Sequence, residues 1–253
     1  MEKSKNDFKA ARVDKRLCNK QWDAELARRC LTVIVFRVAS HDCETMSPPF
    51  LLGGIIMINT TRLRCTIGWL GFLLPWLVVL LLGYFPASIS ETYYTYEAGP
   101  VFLMVLGSAS FLLFSYKGYE RIDDIINSIA GVFGLLICLF PCEWYYDKVG
   151  TFQVPMLTSM YIHYIAAIGF FSLLAVNSLF LFTKSGGEMT RNKKIRNVIY
   201  RICGIGMVGS FGLLFLPVFH IRVWLIEAIA LFFFGISFLT KADYYPWLFA
   251  DKK

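Results

Sequence analysis

The sequence predicts an all-α protein, a polytopic bundle of six transmembrane helices with N- and C-termini cytoplasmic. Three observations carry that prediction. Hydrophobic residues make up 57% of the 253 and aromatic residues 17%, with a mean hydropathy of +0.55, well above the norm for soluble domains. The apolar residues gather in runs of roughly membrane-spanning length at 66–86, 100–116, 125–142, 159–183, 197–218 and 223–240. The basic residues, 25 Lys and Arg against 18 Asp and Glu, sit in the short segments between those runs.

Their distribution sets the direction of each run. Arg62 and Arg64 precede the first, and Lys117 and Arg121 separate the second from the third. Lys184, Arg191, Lys193, Lys194, Arg196 and Arg201 lie around the fourth-to-fifth connection, and Lys241, Lys252 and Lys253 follow the sixth. The opposite side carries Lys148 and Arg222. By the positive-inside bias, both ends of the bundle's chain are then cytoplasmic. Each outward-going run closes on an aromatic or leucine followed by proline, at Pro86, Pro141 and Pro217, and proline marks a helix end because it cannot continue the hydrogen bonding. Tyr- and Trp-rich segments fall at both interfaces: "ETYYTYE" and "CEWYYDK" outside, "DYYPWLF" inside. Three hairpins or an inverted repeat would fit six crossings, though the two halves show no similarity.

Small residues predict close helix contacts at 107–110, 128–134 and 203–212. The last stretch, "CGIGMVGSFG", is the richest in glycine, which predicts the fifth helix at the bundle centre.

Residues 1–56 differ from the six-helix domain at 57–253. They are charge-dense, and their one apolar run, "CLTVIVF", is too short to span. No cleavage site of signal-peptide type follows it. Gly53-Gly54 is encodable as GGAGG, so translation from Met57 is one reading, and a basic arm on anionic headgroups is the other. The seven cysteines contain no CxxC pair, so buried thiols are expected, with neither a disulfide framework nor a zinc site.

Glu227 is the acid that lipid would penalise. It lies about four residues, or roughly 6 Å, into the sixth run at 1.5 Å per residue. His163 lies at a similar depth in the fourth run, and His220 and Arg222 bound the fifth-to-sixth turn. Ionisable groups at such depth pair inside the bundle, so a Glu227–His163 or Glu227–Arg222 pair is expected, either as a structural tie or as a ligand- or proton-binding site. Two histidines with Glu227 would also make a minimal metal hydrolase site, with His41 as a further histidine, but no HExxH spacing supports it. The outer loop adds Ser88, Ser90, Glu91 and Glu97, in a spacing that selects no nucleophile. In the second-to-third loop, Asp123 and Asp124 suit the positive end of the third helix. Gly186-Gly187 lacks the Gly-Lys-Ser/Thr of a phosphate loop, and no aromatic and basic platform for nucleic acid is present.

The stretches "SISETYYTYEAGPVFLMVLG", "FLLFSYKGYERIDDIINSIAGVFGLLICLFPC" and "RNVIYRICGIGMV", within about residues 60–245, resemble a family of small bacterial six-helix membrane proteins, a domain of unknown function loosely similar to the DRAM/Sfk-like families. That resemblance implies a multi-pass place in the bacterial inner membrane and transfers no catalytic residue. The expected function is the binding or transport of a small molecule, ion or lipid through an outward-facing polar pocket, with no cofactor and with the bilayer as partner. A lipid-directed hydrolase built on His163, Glu227 and His220 is the alternative.

Overall fold

The structure is a computed structural model that describes residues 60–118, 120–142, 147–184, 190–213 and 223–244. The 1–56 segment, its alternative start and His41 lie outside the described residues, as do Pro217, His220 and Arg222. Among the described residues six α-helices follow one another: α1 (Thr60–Leu82), α2 (Gly99–Phe114), α3 (Arg121–Leu139), α4 (Met156–Val176), α5 (Arg191–Gly212) and α6 (Val223–Lys241). A one-turn π-helix, Asn177–Leu181, continues α4. Four of these described helices are long and apolar enough to cross a membrane: α1, α3, α4 with its π-turn, and α6. At 16 residues, α2 is shorter, and α5 spends its first half on Arg191, Lys193, Lys194, Arg196 and Arg201.

Local chemistry explains the limits. Helix α1 stops at Leu82 rather than at Pro86, because Gly83 takes a left-handed conformation (φ +73) and returns its N–H to Val79 O at 2.8 Å. That is the glycine-terminated helix end. Helix α3 begins with a reciprocal cap between Glu120 and Asp123, which ties the acids of that loop to its orphan N–H groups, as the dipole argument expects. A two-stranded hairpin, β1 (Lys148–Val149) with β2 (Val154–Pro155), precedes α4.

Each helix packs on its neighbours in sequence, and α6 closes on α1, so the six form a ring. Exposed apolar side chains line the outside of all of them, among them Leu80, Phe111, Ile125, Ile168, Ile205 and Phe232, the exterior that hydrocarbon selects. The polar contacts fix which ends share a level. At one end Arg64 meets Tyr116, Lys184 meets Glu120 and Arg196 meets Asp243; at the other, Ser88 meets Glu227 and Ser159 meets Pro141. The helices therefore alternate up and down.

The expected seam of small residues is present between α2 and α3, where Gly131 and Gly134 lie against Ser110. The fifth helix, however, is not central. It is one member of the ring between α4 and α6, and Ile202, Ile205 and Val208 face outward. Two of its glycines serve flank contacts instead: Gly204 faces Leu179 and Gly206 faces Phe233. The most buried span is α6, and its tightest approach is to α1, where a Cβ on Gly235 would lie 2.7 Å from Phe72 Cβ and 2.9 Å from Gly68 O. The thiols of Cys138 and Cys203 are free, whereas Cys65 is disulfide-bonded, against the expectation of buried thiols alone.

That crossing makes a direct prediction. Gly235→Ala drives a methyl into backbone and is expected to cost about 1–3 kcal/mol, the scale of overpacking. Gly107→Ala, where nothing lies within 4 Å, is expected to be neutral or stabilising by up to about 1 kcal/mol, the helix-propensity gain. Thermal unfolding of both variants in detergent distinguishes a closed α1–α6 seam from a loose one.

Candidate functional site

The site is built where the segment after α1 folds back over the ring. Beyond Gly83 the chain runs through Ser88 and Ile89 into a 3₁₀ turn, Ser90–Tyr94. Trp224 at the start of α6 donates its N–H to Ala87 O at 2.8 Å and stacks edge-on against Phe85 at 4.9 Å. This brings Glu227, one turn further along α6, under the loop. Its carboxylate accepts Ser88 Oγ–H, at 2.9 Å from either oxygen, Ile89 N–H at 2.5 Å and Ser90 Oγ–H at 3.3 Å. Three donors from three consecutive residues thus converge on one carboxylate. Ser90 N–H donates in turn to Ser88 Oγ at 3.1 Å, which orients that hydroxyl.

Inward from the carboxylate lies a cavity of about 50 Å³. Every helix contributes to its wall: Leu74 from α1, Phe102 and Leu106 from α2, Ile137 from α3, Phe170 and Phe171 from α4, Phe211 from α5 and Leu231 from α6. Ile89 and Ser90 cover it from the loop, and Glu227 is the charged side chain in a lining otherwise made of Ser90 and apolar groups. Burial pushes the phenol of Tyr94, at the end of the covering turn, up to about 12, which keeps it neutral.

The sequence candidates separate in space. His163 does not pair with Glu227. It is buried, and its Nδ1–H donates to Phe140 O at 2.8 Å. Ser159, one turn earlier on α4, donates to Pro141 O at 2.7 Å. The two share a face by their four-residue spacing and satisfy carbonyls that the end of α3 leaves without helical partners. Glu97 is exposed in the turn before α2 and is not part of the cavity wall. The Glu227–Arg222 pair and any part for His220 fall outside the described residues. Among the described residues no group of three or more His, Cys, Asp or Glu is arranged to hold a metal.

Other polar groups lie deep in the ring and escaped sequence reasoning. Asn177 at the start of the π-turn donates to Asn127 Oδ1 at 2.6 Å, and Asn127 donates to Asp123 O at 2.7 Å. Ser178 and Ser237 lie 2.7 Å apart. These bonds tie α3, α4 and α6 together. A polar pair inside an apolar run, as in "AVNSLF", was the signal available for them.

No family model, curated protein or solved structure matches the chain. Fold and site therefore define a class on their own terms: a ring of six helices around a small apolar cavity, with a membrane-compatible exterior and one carboxylate under a covering loop.

Two substitutions test the separation of Glu227 from His163. Glu227→Ala strands the Ile89 N–H and is expected to cost about 1–3 kcal/mol, the scale of an unsatisfied buried donor, with faster amide exchange across residues 88–94. Combined with His163→Gln, it is expected to be additive within about 0.5 kcal/mol, as for groups that share no partner.

Proposed function

We propose that the protein is a multi-pass membrane protein, both of whose termini face the cytoplasm, that binds or carries a small, largely apolar molecule or a cation in the cavity inside its helix ring. Access is from the Glu227 end, and the loop at 88–94 is the lid. The observation that carries this reading is the single carboxylate, with Ser90 beside it, in an otherwise apolar wall to which all six described helices contribute. A purely structural latch needs Glu227 and its three donors but no space beyond them. Ligand sites, by contrast, are mostly apolar with a few convergent polar groups, and they lie between the helices of bundles.

Orientation follows from charge. The ends of α2, α4 and α6 and the starts of α1, α3 and α5 carry the basic residues, and Lys148 is the cation at the Glu227 end among the described residues. The positive-inside bias assigns that basic end to the cytoplasm and the lid to the outside. A location in the bacterial inner membrane rests on the family resemblance and belongs to the same proposal.

Size makes the lid necessary. At about 50 Å³, the cavity is far below the roughly 300–1,000 Å³ of ordinary ligand sites, so the structure corresponds to a closed form. Any ligand larger than a few atoms enters only when Ser88, Ile89 and Ser90 leave Glu227. A ligand donor or positive charge then takes their place on the carboxylate, which offsets the bonds lost by opening. The hydrolase reading gains no support, because His163 Nδ1 is committed to Phe140 O.

The test uses Ser90→Cys as a reporter. Its labelling by a membrane-impermeant maleimide is expected to be slow in the wild-type background and faster in Glu227→Gln, which keeps the shape of Glu227 and removes its charge. Native mass spectrometry of protein released from membranes is expected to show a small-molecule adduct that Ala167→Phe, which fills the cavity, abolishes. Labelling indifferent to Glu227, together with no adduct in either protein, would sink the proposal.

A further inference from the structure

Glu227 is an acid inside the bundle whose partners are all neutral. Ser88 Oγ–H, Ile89 N–H and Ser90 Oγ–H reach its carboxylate from the covering loop, and no cation pairs with it among the described residues. Ionisable groups this deep ordinarily face one of opposite sign. Lys148, the cation at this end among the described residues, is exposed in the β1–β2 hairpin.

The loop donors define what must replace them. When Ser88, Ile89 and Ser90 lift away, the carboxylate loses its three donors together, and a buried oxygen without a donor is costly. A primary ammonium carries three N–H donors and a full positive charge, so it serves both oxygens and adds an attraction that the neutral loop groups lack. Other occupants meet only part of that need. A hydroxyl brings one donor and no charge; a quaternary ammonium brings charge and no donor. A calcium or magnesium ion needs roughly six oxygens or more, whereas the side-chain oxygens in the lining are those of Glu227 and Ser90. The carbonyl of Ile89 is already taken, by Thr92 N–H at 3.1 Å and Thr92 Oγ1–H at 2.6 Å.

The remaining wall suits a carbon skeleton next to a cation. Phe170, Phe171 and Phe211 all line the cavity, with the Phe171 ring centre 5.4 Å from that of Phe170 and 4.9 Å from that of Phe211, so the three rings are contiguous. Such rings bury apolar groups and attract a desolvated cation within about 6 Å of their centres. We propose, resting on the reading of this cavity as a ligand site, that its ligand is a small apolar primary amine bound as the ammonium, with its N–H groups on Glu227 and its carbon skeleton among the phenylalanines. Lid opening and amine binding are then one exchange, in which charged donors on the ligand replace neutral donors of the loop.

The full chain, purified in detergent, is titrated with 2-phenylethylamine, with 2-phenylethanol and with the N,N,N-trimethyl derivative of the amine, unfolding temperature being the readout. At neutral pH the amine is protonated, as a lysine side chain is. The amine is expected to stabilise the protein saturably, and the other two to bind at least about tenfold more weakly, the scale of one hydrogen bond to a charged group. Glu227→Gln is expected to remove the amine's advantage over the alcohol, and Ala167→Phe, which fills the cavity, to abolish all three responses. Should Glu227→Gln fail to fold, the three-probe comparison on the native chain carries the test. The amine is overturned if the alcohol or the trimethyl derivative matches it, if sodium chloride alone reproduces its effect, or if no probe binds. Equal responses to amine and alcohol that Ala167→Phe removes overturn the amine while retaining the cavity as an apolar ligand site; labelling indifferent to Glu227 together with no adduct removes the site itself.

Discussion

The structure depends on one constraint: in an apolar surround every backbone N–H and C=O must find a partner from the chain itself. Helix interiors meet it automatically, and the turns between helices do not. The two described turns at the Glu227 end meet it in opposite ways. Where α1 has ended and the chain returns across the ring, Ile89 offers an N–H, and a carboxylate on α6 accepts it with the Ser88 and Ser90 hydroxyls. Where α3 ends before Pro141, carbonyls are left over, and donors on α4 satisfy them. An acid is needed at the first place and a donor pair at the second, so Glu227 and His163 sit at one depth for unrelated reasons.

This distinction marks how far the sequence could be read. Depth is a linear quantity: counting from the end of an apolar run puts Glu227 and His163 at one level, and both are near the same end of the ring. The six helices, the acids at the start of α3 and the small-residue contact of α2 with α3 are legible for the same reason, since each follows from local spacing. Which helices are neighbours is not local. The ring closes between α1 and α6, so Glu227 meets a loop 139 residues earlier in the chain, and nothing in the periodicity of either segment announces it. Gly68 and Gly235 bring α1 and α6 together, yet Gly235 is a lone glycine in its run and Gly68 has only Gly71 near it. The stretch from 203 to 212 is the most glycine-rich and holds flank contacts instead. Glycine density reports where backbones can approach, while the partner's shape decides where they do.

The ring also accounts for the placement of the deep polar residues. Asn127, Asn177, Ser178 and Ser237 lie on faces turned toward other helices and bond to one another or to backbone. In hydrocarbon such bonds fix which helix faces meet, because any rotation that exposes the amide to lipid leaves it unsatisfied. The π-turn at Asn177–Leu181 places an extra residue into one turn of α4, which shifts the register so that Asn177 and Ser178, adjacent in sequence, address different helices: Asn127 on α3 and Ser237 on α6.

The two ends of one ring carry different chemistry. At the lid end a lone carboxylate faces apolar walls, a field that favours a donor or cation and repels anions. At the basic end Arg64, Lys184, Lys193, Arg196 and Lys241 gather with Glu120 and Asp243, and Lys184 also pairs with Asp123 at 3.4 Å. Between them lie the packed rings of Phe170, Phe234 and Phe238, each almost wholly buried, beside the bonded Asn127–Asn177 and Ser178–Ser237 pairs.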